Sequence, residues 1–131
     1  MQLSLVGSSA GTVAHGANVA FDALDSNNTL SVSYTPGSGS IIIGRTGTYL
    51  VNWWVAMENA QSTESVAFAL SLNGSDVATS YSDIGGGQIY GTAIVNVSSI
   101  PSTLSLINRS GNDVSLVTAA GQGGLTLTQL A

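Results

Sequence analysis

Residues 47–57, GTYLVNWWVAM, constrain the fold more than any other stretch of the chain. Successive side chains of a β-strand point to opposite faces. One face of this strand therefore carries Tyr49, Val51, Trp53, Val55 and Met57, and the other Leu50, Asn52, Trp54 and Ala56. Both faces are largely apolar. A strand at the surface of a sheet needs cover on one side only, so this segment asks for two. Tyr49, Val51, Trp53 and Val55 are assigned to the core of the domain. Leu50 and Trp54 need something else against them.

The period of two continues along the chain. LSLV (3–6), NVAF (18–21), TLSVSY (29–34) and SIIIG (40–44) precede the double-faced strand. SVAFALSLN (65–73), DVATSY (76–81), QIYGTAIVNV (88–97), STLSLIN (102–108), DVSLVTA (113–119) and GLTLTQL (124–130) follow it. About ten short strands, punctuated by Gly, Asn, Ser and Pro, predict an all-β antiparallel sandwich or barrel. Asn73-Gly74 is a tight hairpin turn by composition, and Pro36-Gly37-Ser38-Gly39 and Ser110-Gly111-Asn112-Asp113 read as turns. Only residues 14–25, AHGANVAFDALD, tolerate a helix, and Gly16 and the β-branched Val13 and Val19 argue against one. No linker or charge run divides the sequence, so residues 1–131 form one domain.

Charge is the next constraint. Charged residues make up 7% of the chain, against about 25% in an ordinary soluble domain. There is no lysine, and Arg45 and Arg109 are the only fixed cations in a chain of net charge −5. Two arginines cannot neutralise a phosphate backbone, which excludes nucleic acid as a partner. They cannot hold an anionic membrane surface either. Apolar runs stay far below the roughly 20 residues of a membrane helix, which predicts no membrane insertion. No basic n-region followed by an apolar segment stands at Met1, so no signal peptide is expected. The absence of cysteine removes disulfides, thiol nucleophiles and thiolate metal sites. A surface this poor in charge suggests that part of it is covered in the assembled state.

Catalytic chemistry finds little to build on. His15 is the only histidine, so any triad or histidine metal site must use it. Gly7-Ser8-Ser9-Ala10-Gly11 matches the pattern of a nucleophile elbow, with Ser9 as nucleophile. That elbow needs a strand-turn-helix setting absent from this β-rich sequence. The seven acids, Asp22, Asp25, Glu58, Glu64, Asp76, Asp83 and Asp113, are scattered and lack calcium-loop spacing. They read as solvated turn residues. Glycine clusters at 85–87 and 121–124 form no nucleotide-binding fingerprint. Sequons begin at Asn27, Asn73, Asn96 and Asn108, as expected of a chain rich in Ser, Thr and Asn. The chain is read as a non-enzyme with no catalytic residue, metal or cofactor.

The order of these segments resembles the C1q/TNF-like trimeric jelly rolls. Within them it is most similar to the C-terminal domains of BclA-type bacterial collagen-like glycoproteins of the spore exosporium. VAFDALDSNNTLSVSY followed by SIIIGRTGTYLVNWWVAM resembles the passage into the family's T-G-x-Y-x-V strand, and FALSLNGSDVATSYS its following hairpin. IYGTAIVNVSSIPSTLSLIN resembles the next long strand and its partner, and GGLTLTQLA the closing strand. The resemblance implies a jelly-roll sandwich and a homotrimer with one sheet facing the threefold axis. It implies an aromatic at the axis, matched here by Tyr90, with Leu50, Trp54, Leu125 and Leu127 as further interface residues. The poverty of charge fits the bacterial subgroup better than the animal members, some of which carry calcium loops.

The expected function is a non-enzymatic trimerisation and assembly head of a collagen-like surface filament, with residues 1–131 as its C-terminal part. The implied location is extracellular, on the spore exosporium, with a phage virion as the alternative. The competing reading is an adhesin or lectin-like head, or a phage fibre tip, that meets a host surface or a glycan. An exposed aromatic beside Asp or Asn would serve it, and Tyr81 with Asp83, or Tyr34 near the Pro36 turn, are the nearest candidates.

Overall fold

The computed structural model describes residues 1–6, 11–58, 65–83, 87–117 and 121–131. Twelve strands are present and no helix is found among the described residues, including 14–25. They are β1 (Gln2–Leu5), β2 (Thr12–Val13), β3 (Ala23–Ser26), β4 (Val32–Tyr34), β5 (Ile41–Ile43), β6 (Gly47–Met57), β7 (Val66–Leu72), β8 (Ser75–Ser82), β9 (Gly87–Val97), β10 (Ser102–Asn108), β11 (Val114–Ser115) and β12 (Gly123–Gln129). The first sheet runs β3-β1-β12-β6-β9 and the second β4-β5-β10-β7-β8, with β2 and β11 as a separate ribbon. The two five-stranded sheets form an antiparallel sandwich. Apart from β4–β5 and β7–β8, pairing joins strands that are not consecutive, and the first strand lies beside the last.

The hairpin between β7 and β8 turns where the sequence predicts. Asn73 and Gly74 both have positive φ, 51° and 86°, as a type I′ turn requires. The NVAF segment makes only an isolated bridge, Asn18 to Ile107. Val19 and Phe21 are nonetheless buried, so their alternation marks core contact without ladder pairing.

Tyr49, Val51, Trp53 and Val55 point inward from β6 and are all buried. They meet Leu3 and Leu5 of β1, Phe68 and Leu70 of β7, and Leu104 and Leu106 of β10 in one continuous cluster. Each such side chain contributes about 1.5–3 kcal/mol on leaving water. Trp53 spans the sandwich: its Nε1 donates to Ser80 Oγ of β8 at 3.1 Å, and Ser80 Oγ donates to the Phe68 carbonyl at 3.3 Å. Its ring lies on Gly91 of β9, where a Cβ would stand 2.0 Å from Cζ2. Only glycine leaves room there.

Leu125 and Leu127 correct the sequence reading. They pair in register with Trp53 and Val51 and therefore share the inner face of those residues. At 2% and 0% exposure they belong to the core and are withdrawn from the outer surface. The residues β12 sends outward are Gly124, Thr126 and Thr128.

Candidate functional site

The register of the first sheet arranges its outer side in cross-strand rows. One row is Tyr90, Trp54, Gly124 and Ser4; the next is Thr92, Asn52, Thr126 and Gln2; the third is Ile94, Leu50 and Thr128. Asn96 and Thr48 close the sequence of rows, joined by a hydrogen bond from Thr48 Oγ1 to Asn96 Oδ1 at 3.1 Å. β1, β6, β9 and β12 contain no charged residue. A charge borders these strands at Asp25, on the edge strand β3, which accepts a hydrogen bond from Ser4 Oγ.

Three of the interface residues expected from sequence come together here. Leu50 and Trp54 are half-buried, whereas Tyr90 is 66% exposed. Trp54 is held down by its neighbours rather than projecting. Its indole lies on Gly124, where a Cβ would stand 2.5 Å from Nε1, and its far edge reaches Gly121. The Tyr90 hydroxyl donates to Gln88 Oε1. A shallow groove of about 470 Å³ runs between these residues, bounded by Gln2, Ser4, Asn52, Trp54, Tyr90 and Thr126. Sequence reasoning missed Ile94, which is 64% exposed on the same face. Counting in twos from Tyr90 along QIYGTAIVNV identifies it.

The other candidates are taken up by structure. His15 Nδ1 accepts the Gly111 N–H at 2.9 Å, and the backbone N–H of His15 donates to Asp113 Oδ1 at 3.3 Å. It thus ties the loop after β2 to the turn after β10. Ser9 and Glu64 lie outside the described residues. Asp22 Oδ1 accepts the Val6 N–H at 2.9 Å. Asp76 receives both Nε and Nη2 of Arg109 at 3.1 Å, and this fork holds the guanidinium pKa above its ordinary value. Among the described residues no three of His, Cys, Asp and Glu are grouped to hold a metal. Tyr34 is buried. Its hydroxyl donates to the Phe21 carbonyl at 2.6 Å and accepts the Gly39 N–H at 3.1 Å, which removes it as a platform for a sugar. Tyr81 remains 63% exposed.

Three of the four sequon asparagines are also committed. Asn27 Nδ2 donates to the Val32 carbonyl, Asn73 Nδ2 to Ser102 Oγ, and Asn108 Nδ2 to the carbonyls of Val13 and Asn112. Asn108 is fully buried. Asn96 alone is exposed with only its Oδ1 engaged.

No protein-family model matches the chain, and no curated protein matches it. Solved structures do share its fold. Murine APRIL at pH 8.5 superposes with a TM-score of 0.72 at 13% identity, covering 98% of each chain. Eiger TNF from S. frugiperda gives 0.68 at 13% identity, over 100% of this chain and 92% of its own. Rabbit GITRL gives 0.57 at 14% identity, over 76% and 77%. These likenesses establish the TNF-like jelly-roll fold.

Proposed function

We propose that the domain is a non-enzymatic assembly head that forms a homotrimer through the outer face of its first sheet. The observation that carries the reading is that β1, β12, β6 and β9 are uncharged, with Asp25 confined to the edge strand β3. In a chain of net charge −5, four adjacent strands present no charge and offer Leu50, Trp54, Tyr90 and Ile94. Like-charged copies repel unless the surfaces they bring together are neutral. Exposed apolar side chains rimmed by polar ones are typical of an interaction surface. The number three rests on the sequence resemblance to trimeric jelly rolls, and closed cyclic symmetry satisfies every copy equally.

On this reading the head registers three chains at the end of a collagen-like filament, exposed outside the cell on the bacterial spore exosporium. A phage fibre is the alternative setting. The sequence resemblance and the charge-poor, Ser/Thr/Asn-rich composition support this placement. Native mass spectrometry at micromolar concentration tests the assembly step: a three-chain species is expected, and a monomer alone overturns the reading. Immunogold labelling of intact spores tests the location.

A binding head is favoured at one place only, the end of β8, where Tyr81 and Asp83 are both exposed. A neutral glycan would stack on Tyr81 and hydrogen-bond to Asp83. A glycan array probed with the wild type and Tyr81→Ala tests this, and silence from the wild type rejects it.

A further inference from the structure

The outer face is banded rather than uniformly apolar. Trp54 and Tyr90 are cross-strand partners, as are Leu50 and Ile94, and these two apolar pairs form the ends of a frame. The pair between them is Asn52 and Thr92. Each row stands about 7 Å from the next, two residues along a strand. Asn52 and Thr92 are both exposed. Neither side chain hydrogen-bonds to another described residue, nor do those of Gln2 and Thr126 in the same row.

We infer that the Asn52–Thr92 pair fixes the register and the number of copies in the assembly; this rests on the self-association proposed above. Covering the frame takes the Asn52 amide and the Thr92 hydroxyl out of water. A buried polar group without a partner is costly. The amide is both donor and acceptor, as is the hydroxyl, so the same pair on another copy can satisfy it. Three frames facing one axis bring three such pairs together at one level. A slip of one row would set each amide against Trp54 and Tyr90, or against Leu50 and Ile94, and leave it unsatisfied. A single polar position within an apolar seam fixes coiled-coil register and stoichiometry in the same way, at a cost in affinity.

The test compares wild type, the N52V/T92V double variant, N52D and N52C by native mass spectrometry, with near-ultraviolet circular dichroism to confirm each fold. N52V/T92V should associate at least about tenfold more tightly, the equivalent of about 1.4 kcal/mol, while spreading over more than one oligomer size. N52D should be dissociated at pH 7, where its carboxylates are ionised, and assembled below about pH 4. N52C, in a chain without other cysteines, should oxidise to a two-chain product resistant to denaturation. A wild-type monomer overturns the self-association reading and this inference together. A wild-type trimer whose N52V/T92V form keeps one stoichiometry at unchanged affinity, and whose N52D form stays assembled at pH 7, overturns this inference alone.

Discussion

Trp53 and Trp54 are neighbours in sequence and serve opposite faces, and each rests on a glycine of an adjacent strand. Trp53 covers Gly91 inside the sandwich, and Trp54 covers Gly124 outside it. Trp53→Ala should cost about 3–5 kcal/mol of subunit stability, as for other large aromatic truncations in cores. Gly91→Ala should also destabilise strongly, because the new methyl would occupy the position of the indole. Trp54→Ala should leave urea unfolding of the subunit nearly unchanged and weaken association by about 2 kcal/mol. Equal losses of subunit stability from the two tryptophan variants would contradict this division. The alternation of residues 47–57 was enough to separate the two rings. Their glycine beds were hidden, because they depend on which residues β9 and β12 place opposite β6. The same missing register explains the misplacement of Leu125 and Leu127. The closing strand alternates clearly in sequence, but only its pairing with Val51 and Trp53 decides which set turns inward.

Also at this scale, the four sequons are alike in sequence and unlike in structure. Produced through a eukaryotic secretory pathway, the chain should acquire glycan at Asn96 and not at Asn108, whose amide is buried between two carbonyls. Peptide mapping after enzymatic deglycosylation reads the occupancy directly, and a glycan on Asn108 would contradict the packing described.

Among the elements, the long strands were the most legible. β6 and β10 match their sequence boundaries, and β7, β8, β9 and β12 shift by only a residue or so at their ends. Their alternation coincides with continuous ladder pairing. β2, of two residues, carries too little pattern to read; of the 113–117 part of the segment read as a strand at 113–119, only β11 (Val114–Ser115) pairs as one; and residues 18–21 alternate because they pack rather than pair. The loops between short strands are pinned by tyrosines. Tyr34 bonds the Phe21 carbonyl and the Gly39 N–H, while the Tyr49 hydroxyl donates to the Arg45 carbonyl at 2.7 Å. Burial raises the pKa of both tyrosines above 10.0, with Arg45 opposing the rise at Tyr49. The folded state therefore holds these protons more tightly than the unfolded chain. Their contribution is fully present below pH 10 and is lost as pH rises through the folded values. Denaturant midpoints should accordingly be flat from neutral pH to about pH 9 and fall steeply above 10. Tyr34→Phe, which strands a buried carbonyl and N–H, should cost about 1–3 kcal/mol at neutral pH. A midpoint that does not fall above pH 10 would contradict the pinning role.

At the scale of the whole molecule, the strands carry almost no charge: each sheet has one acid, Asp25 on β3 of the first and Asp76 on β8 of the second. The bidentate Arg109–Asp76 pair lies with the second sheet and the loops, whereas β1, β6, β9 and β12 carry no charge. An association through that neutral face should be insensitive to salt, because screening acts only on charges. The dissociation constant should thus stay within about twofold between 0.05 and 1 M sodium chloride, leaving aside the modest strengthening that excluded salts give apolar contact. The candidate face was partly legible: Leu50, Trp54 and Tyr90 followed from alternation and resemblance. Ile94 stood in the same alternation two residues beyond Thr92 and was overlooked, whereas the central Asn52–Thr92 pair depends on the register of β6 and β9.

Self-association through this face is the claim on which the functional reading depends. Sedimentation equilibrium at micromolar concentration, for the wild type and Trp54→Ala, tests it most directly. The account predicts a wild-type particle of three times the 13.2 kDa chain and a shift toward monomer in the folded variant. A wild type that sediments as a monomer, or a trimer that Trp54→Ala leaves untouched, would contradict it.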